Sequence, residues 1–139
     1  MRFIDASTFI YAFLKPKRPI PSKIIEMKKH AQDILERVNE GENVITSVVH
    51  VSEVANILEA RVQLSECRRI ISDIADKRSI EVVDVNKKLY ATSIQTAEMR
   101  DISINDALAF VIMQERSIKE IYSFDKHFDN IPEITRVPE

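Results

Sequence analysis

The chain has 139 residues, 45% hydrophobic and 30% charged, which describes one globular domain over residues 1–139 with a proper core and no room for a second. Its 20 Lys and Arg against 22 Asp and Glu leave a net charge of −2, excluding a uniformly basic, phosphate-coating protein but not a local basic patch. One cysteine, Cys67, excludes an intramolecular disulfide, and one glycine, Gly41, excludes a Walker loop and a dinucleotide fingerprint.

Residues 2–5 read as a short buried strand whose last member is out of character. In MRFIDASTFIYAF, Asp5 stands between Phe3–Ile4 and the apolar Phe9, Ile10, Tyr11 and Phe13. An ionised carboxylate buried without a partner is costly, so its place needs a reason. Asp5 also interrupts the apolar stretch a signal peptide needs, which leaves the cytoplasm as the expected compartment. The loop LKPKRPIPSK carries three prolines and a basic cluster of Lys15, Lys17, Arg18 and Lys23.

A helical run begins near Ser22 and continues to about Asn39 on Ile24, Met27, Ala31, Ile34, Leu35 and Val38, with Gly41 placed to end it. NVITS is a second strand. Ser47 can cap the next helix, whose core stripe is Val51, Val54, Ala55, Leu58 and Val62. Another helix covers roughly Ser65 to Lys77, with Ile70, Ile71 and Ile74 inward and Cys67 as a small buried hydrophobe. IEVVDV is a third strand. Asn86 opens a helix through Tyr90, Ile94 and Ala97, and Ser103 opens one through Ala107, Leu108 and Val111. EIYSF is a fourth strand and ITRV a short fifth at an edge. The longest apolar run, ALAFVIM, falls far short of a membrane span.

Strands alternating with helices imply right-handed crossovers and a mostly parallel sheet covered on both faces. Such sheets bind ligands beyond the carboxyl ends of the strands, where the strand order reverses. Asp5 ends the first strand and Asp125 the fourth, so the two face one crevice if those strands are neighbours. Glu53, early in the helix after the second strand, and Asp106, in the first turn of its helix, sit near the same edge. Each has a structural explanation on its own: Asp5 and Asp125 as turn residues, Glu53 as a solvated helix residue, Asp106 as the third residue of a capping box opened by Ser103. Together, four carboxylates without matching cations would repel one another, and a divalent metal resolves this. Carboxylate oxygens are the donors that Mg²⁺ or Mn²⁺ prefers, and such a site activates water against a phosphodiester.

MRFIDASTFIYAF, TSVVHVSEVANIL, ISINDALAFVIM and IYSFDKHFDNIP, in that order, resemble the successive motifs of the PIN-domain family, including VapC-like toxins of prokaryotic toxin–antitoxin pairs. The resemblance implies a three-layer α/β fold with a central sheet in the order 3-2-1-4-5 and Mg²⁺- or Mn²⁺-dependent ribonuclease activity. By motif match Asp5, Glu53, Asp106 and Asp125 take the family's acidic positions, Ser7 its hydroxyl position near the metal, and Asp129 an outer-shell place. It also implies homodimers and a VapB-like antitoxin that inserts a C-terminal segment into the groove.

For RNA, the cluster of Lys15, Lys17, Arg18 and Lys23 is the expected phosphate contact, while Lys28 and Lys29 read as solubilising residues on an exposed helix face. His30, His50 and His127 stay outside the catalytic set, because a metal-bound water makes a histidine base unnecessary. Two other readings share the fold: an RNA-processing nuclease outside a toxin system, and a non-catalytic RNA- or protein-binding module. A phosphotransfer protein would want a second acid near Asp5, where Ala6 and Ser7 stand.

Overall fold

The computed structural model describes residues 1–15 and 18–138, and within them all five strands run parallel. The strands are β1 (Arg2–Ile4), β2 (Val44–Ser47), β3 (Ile80–Val83), β4 (Glu120–Tyr122) and β5 (Thr135–Val137), in the order β3-β2-β1-β4-β5. The helices are α1 (Ala6–Phe13), α2 (Ser22–Asn39), α3 (Val48–Glu59), α4 (Leu64–Asp76), α5 (Lys87–Arg100) and α6 (Ile104–Glu115), with a 3-10 turn at Lys126–Asn130 before β5. The expected order 3-2-1-4-5 is therefore the observed one, and ITRV supplies the edge strand.

Strand alternation sorts the side chains into two cores. Ile4, Val44, Ile80 and Tyr122 point to one face and pack under residues of α1, α2, α3 and α4, including Phe9, Ile34, Leu58 and Ile74. Phe3, Ile45 and Ile121 point to the other face and meet α6, with Leu89 of α5 and Ile102 packed alongside. Every residue from Asp106 to Met113 is buried, because α6 is enclosed between the sheet and α5. An apolar sequence on all sides of a helix is what that position requires. Cys67 is buried against the first core, in keeping with its reading as a small hydrophobe.

Two local features depart from the sequence expectations. The eight-residue α1 was not separately expected between the first strand and the proline-bearing loop. Its carbonyl end is closed by a side chain from another helix: the Lys28 ammonium of α2 donates to the carbonyls of Tyr11 (3.1 Å), Ala12 (3.2 Å) and Leu14. Lys28 is thus a structural cap rather than a solubilising surface residue. Gly41, at φ +118°, turns the chain out of α2 toward β2 as expected of the helix-ending glycine.

The amino edge of the sheet is a closed polar network. The Tyr122 hydroxyl donates to Glu42 (2.6 Å) and accepts from Arg2 (2.7 Å), whose guanidinium also lies 4.9 Å from the Tyr122 ring centre. Arg2 pairs with Glu42 at 3.7 Å and Glu120 at 3.4 Å, and Arg37 pairs with Glu42 at 3.5 Å. Positive and negative groups there are interleaved. None of the helices over the described residues is long and apolar enough to cross a membrane.

Candidate metal centre

The strand order reverses between β1 and β4, and the crevice at their carboxyl ends is where the acids gather. Asp5 follows β1 directly and is only 7% exposed. Its main-chain N–H donates to the Tyr122 carbonyl (2.9 Å), which continues the β1–β4 pairing past the strand end. Its carboxylate is aimed by two hydroxyls, since Ser7 and Ser123 each donate to Asp5 Oδ2 at 2.9 Å. Those hydroxyl oxygens accept the main-chain N–H groups of Phe124 and Asp125 in turn, both at 3.0 Å. Ser7 therefore stands beside Asp5.

Asp106 enters from the start of α6. Ser103 caps that helix, accepting the Asp106 N–H at 3.2 Å, as the capping explanation has it. Burial pushes the Asp106 carboxyl from an ordinary 3.8 up to about 6; the Ser103 hydroxyl opposes this, while the negative charges of Asp125 and Asp5 add to it. Asp125 starts the 3-10 turn and accepts the His127 N–H at 2.9 Å. An oxygen of Asp106, an oxygen of Asp125 and a ring nitrogen of His127 all lie within 4.8 Å of one another, close enough for one cation. His127 Nδ1 is 3.1 Å from Asp125 Oδ1. That histidine was left out at the sequence level; its signal is the two-residue offset from Asp125, which a turn converts into shared facing.

Glu53 is not in that trio but is held one residue away from it. Asn105, which directly precedes Asp106, donates from its side-chain amide to Glu53 at 2.8 Å. The Asn105 main chain is fixed too, because its carbonyl lies 3.1 Å from His50 Nε2. A carbonyl only accepts, so Nε2 carries the proton and Nδ1 accepts from the Ser47 hydroxyl at 2.6 Å. Burial holds the His50 imidazole below its ordinary range, against the pull of Asp5, Asn105 and Glu53. The chain Ser47–His50–Asn105–Glu53 ties the end of β2 to the start of α6. Sequence reasoning set His50 outside the catalytic group and did not single out Asn105. Their signals were the three-residue spacing of Ser47 and His50 at a helix start, and Asn105 as the neighbour of an acid.

The remaining residues sort differently. Both carboxylate oxygens of Asp129 are taken by Arg136, at 2.9 and 3.2 Å, and that pairing holds its carboxyl below the usual range. Arg136 also donates to the Ser123 carbonyl at 3.4 Å. Of the expected RNA-contacting cations, Lys15 and Arg18 line a broad depression with Phe13, Ile20 and Arg61 beside the α3–α4 corner. Lys23 lines another, with Phe124, Lys126, Asp129 and Arg136. Lys17 lies outside the described residues.

The family model of the PIN domain matches residues 2–134. No protein of curated function matches the chain in sequence. Among solved structures the chain is similar to VapC20 of Mycobacterium tuberculosis, described as a Sarcin-Ricin loop cleaving toxin, at 20% identity and TM-score 0.72 over 93% of each chain. It is similar to a chain of a toxin–antitoxin complex from Klebsiella pneumoniae at 14% identity and TM-score 0.66, covering 97% of this chain and 96% of that one. A third is VapBC2 of Rickettsia felis bound to a DNA fragment from its promoter, at 15% identity and TM-score 0.61, covering 98% and 97%.

Proposed function

The chain belongs to the PIN-domain family, and from that membership we propose that it is a Mg²⁺- or Mn²⁺-dependent endoribonuclease, the toxin of a VapBC-type pair. The observation that carries this reading is the trio of Asp106, Asp125 and His127 within reach of one cation, with Asp106 pushed up to about 6 beside Asp5 and Asp125. Burial is the main cause of that rise, the charges of Asp125 and Asp5 add to it against the Ser103 hydroxyl and His127, and a divalent cation would favour the ionised form. The donor set, mostly carboxylate oxygens, suits Mg²⁺ or Mn²⁺.

Asp5, Asp106 and Asp125 would hold the ion, with Glu53 the fourth acid, kept in place by Asn105. When bound, the ion supplies Lewis-acid activation of water and charge compensation for a phosphodiester. Ser7 and Ser123 orient Asp5, and Asp129 acts from outside through Arg136 on the Ser123 main chain. Lys23 shares a depression with Phe124 and Lys126, the chain neighbours of Asp125, and would contact the RNA backbone, as would Lys15, Lys17 and Arg18. The toxin role, a VapB-like antitoxin, a homodimer and the cytoplasm as working compartment are part of the same proposal. The antitoxin is supported by the toxin–antitoxin neighbours.

The test is RNA cleavage with purified protein. EDTA should abolish it, Mg²⁺ or Mn²⁺ should restore it, and Asp5→Asn should remove it with the circular dichroism spectrum unchanged. Full cleavage by Asp5→Asn, with contaminating nuclease excluded, would overturn the reading.

A further inference from the structure

Glu53 and Asn105 line an open depression of about 470 Å³ whose other residues have no part in the proposed chemistry. Tyr90 of α5, Ser52 and Asn56 of α3, Asn105 at the start of α6, and the Val48–Val49 pair line it. Among the described residues, Glu53 is the one charged residue in its wall. Without a Lys, Arg or His in the lining, the cavity offers nothing to a phosphate and would repel one. Its chemistry is that of a flat, uncharged, hydrogen-bonding ligand: an aromatic ring, an apolar pair and neutral amides.

Asn105 makes the match more specific. One N–H of its amide is given to Glu53, and its main chain is fixed by His50. The second N–H and Oδ1 make no hydrogen bond among the described residues, leaving a donor and an acceptor side by side on a fixed group. A side-chain amide of that kind pairs with the adjacent donor and acceptor of adenine, and an aromatic wall stacks on the face of any base. Val48, 41% exposed, is apolar surface that such a base would cover.

We propose that this cavity, walled by Tyr90, Asn56 and Asn105 and adjoining Glu53, binds a nucleobase of the RNA strand next to the cleaved phosphate, adenine best. The inference rests on the nuclease reading above and adds a determinant of substrate choice to it. A second copy of the chain is the competing occupant of this face.

Affinity is measured by fluorescence anisotropy on the Asp5→Asn protein, with short RNAs identical except for one base at each position in turn. At one position adenine should bind best, and adding Tyr90→Ala should weaken binding roughly 5- to 150-fold and flatten that preference. Tyr90→Phe should bind like the parent, and in the active protein Tyr90→Ala should raise KM more than it lowers kcat. Unchanged affinity and preference in Tyr90→Ala would overturn the proposal, as would light scattering showing that the change splits a dimer while binding per chain stays the same. If the wild-type protein cleaves no RNA, the nuclease reading falls by itself. Adenosine titration followed by amide shifts at Ser52, Asn56 and Tyr90 then decides the cavity, and absent shifts reject it.

Discussion

The two ends of one sheet treat charge in opposite ways. At the amino edge, Arg2, Arg37, Glu42, Glu120 and the Tyr122 hydroxyl neutralise one another within hydrogen-bond or ion-pair distance. At the carboxyl edge, Asp106, Asp125 and the His127 ring come within reach of one cation, and burial, with the charges of Asp125 and Asp5 added, pushes Asp106 up to about 6. The first edge pairs its charges internally; the second is where the proposed cation would sit.

The sharpest way to break this contrast is to remove one acid from each edge. Asp5→Asn should lower RNA cleavage by more than the roughly 10- to 100-fold that losing an outer-shell partner costs, with little change in melting temperature. Glu42→Ala should do the reverse. It leaves Arg2 facing Arg37 and the Tyr122 hydroxyl without its acceptor, costing about 1–2 kcal/mol by urea titration while cleavage per folded molecule stays constant.

A smaller effect tests whether the tether matters to the acid edge. Asn105→Ala frees Glu53, and Mn²⁺ affinity read by electron paramagnetic resonance should fall by about tenfold. The smallest is a gain. An acid whose pKa is raised on folding binds more protons in the folded state, so its contribution to stability falls as pH rises from about 4 to 6. Metal-free Asp106→Asn should therefore be more stable than the parent at pH 7, by about 1 kcal/mol, with the difference gone near pH 4. His50 runs the other way, because an imidazole held below its ordinary value lends stability that is lost as pH falls. Denaturation midpoints for the two proteins across pH 4–7 check both signs.

The fold was legible because strands and helices alternate and each carries its own period, so the expected strand order is the one observed. The short α1 was hidden by apolar residues that continue from β1 and by the prolines behind it. The acids were legible because a carboxylate at the end of a buried strand needs a reason. What supports them was harder to see. Ser123 lies 118 residues from the Asp5 it bonds, Arg2 lies 120 from Tyr122, and no local pattern announces such pairs. The same distance argument covers Lys28, whose role as a helix cap depends on a neighbour met only after folding.

The paired serine contacts on Asp5 limit what that acid can offer. Ser7 and Ser123 together fill the hydrogen-bonding capacity of Oδ2, and no hydrogen bond among the described residues reaches Oδ1. Asp5 therefore has one oxygen open, and would meet the proposed cation through that oxygen alone. Joining two cations through both of its oxygens would require a serine to let go.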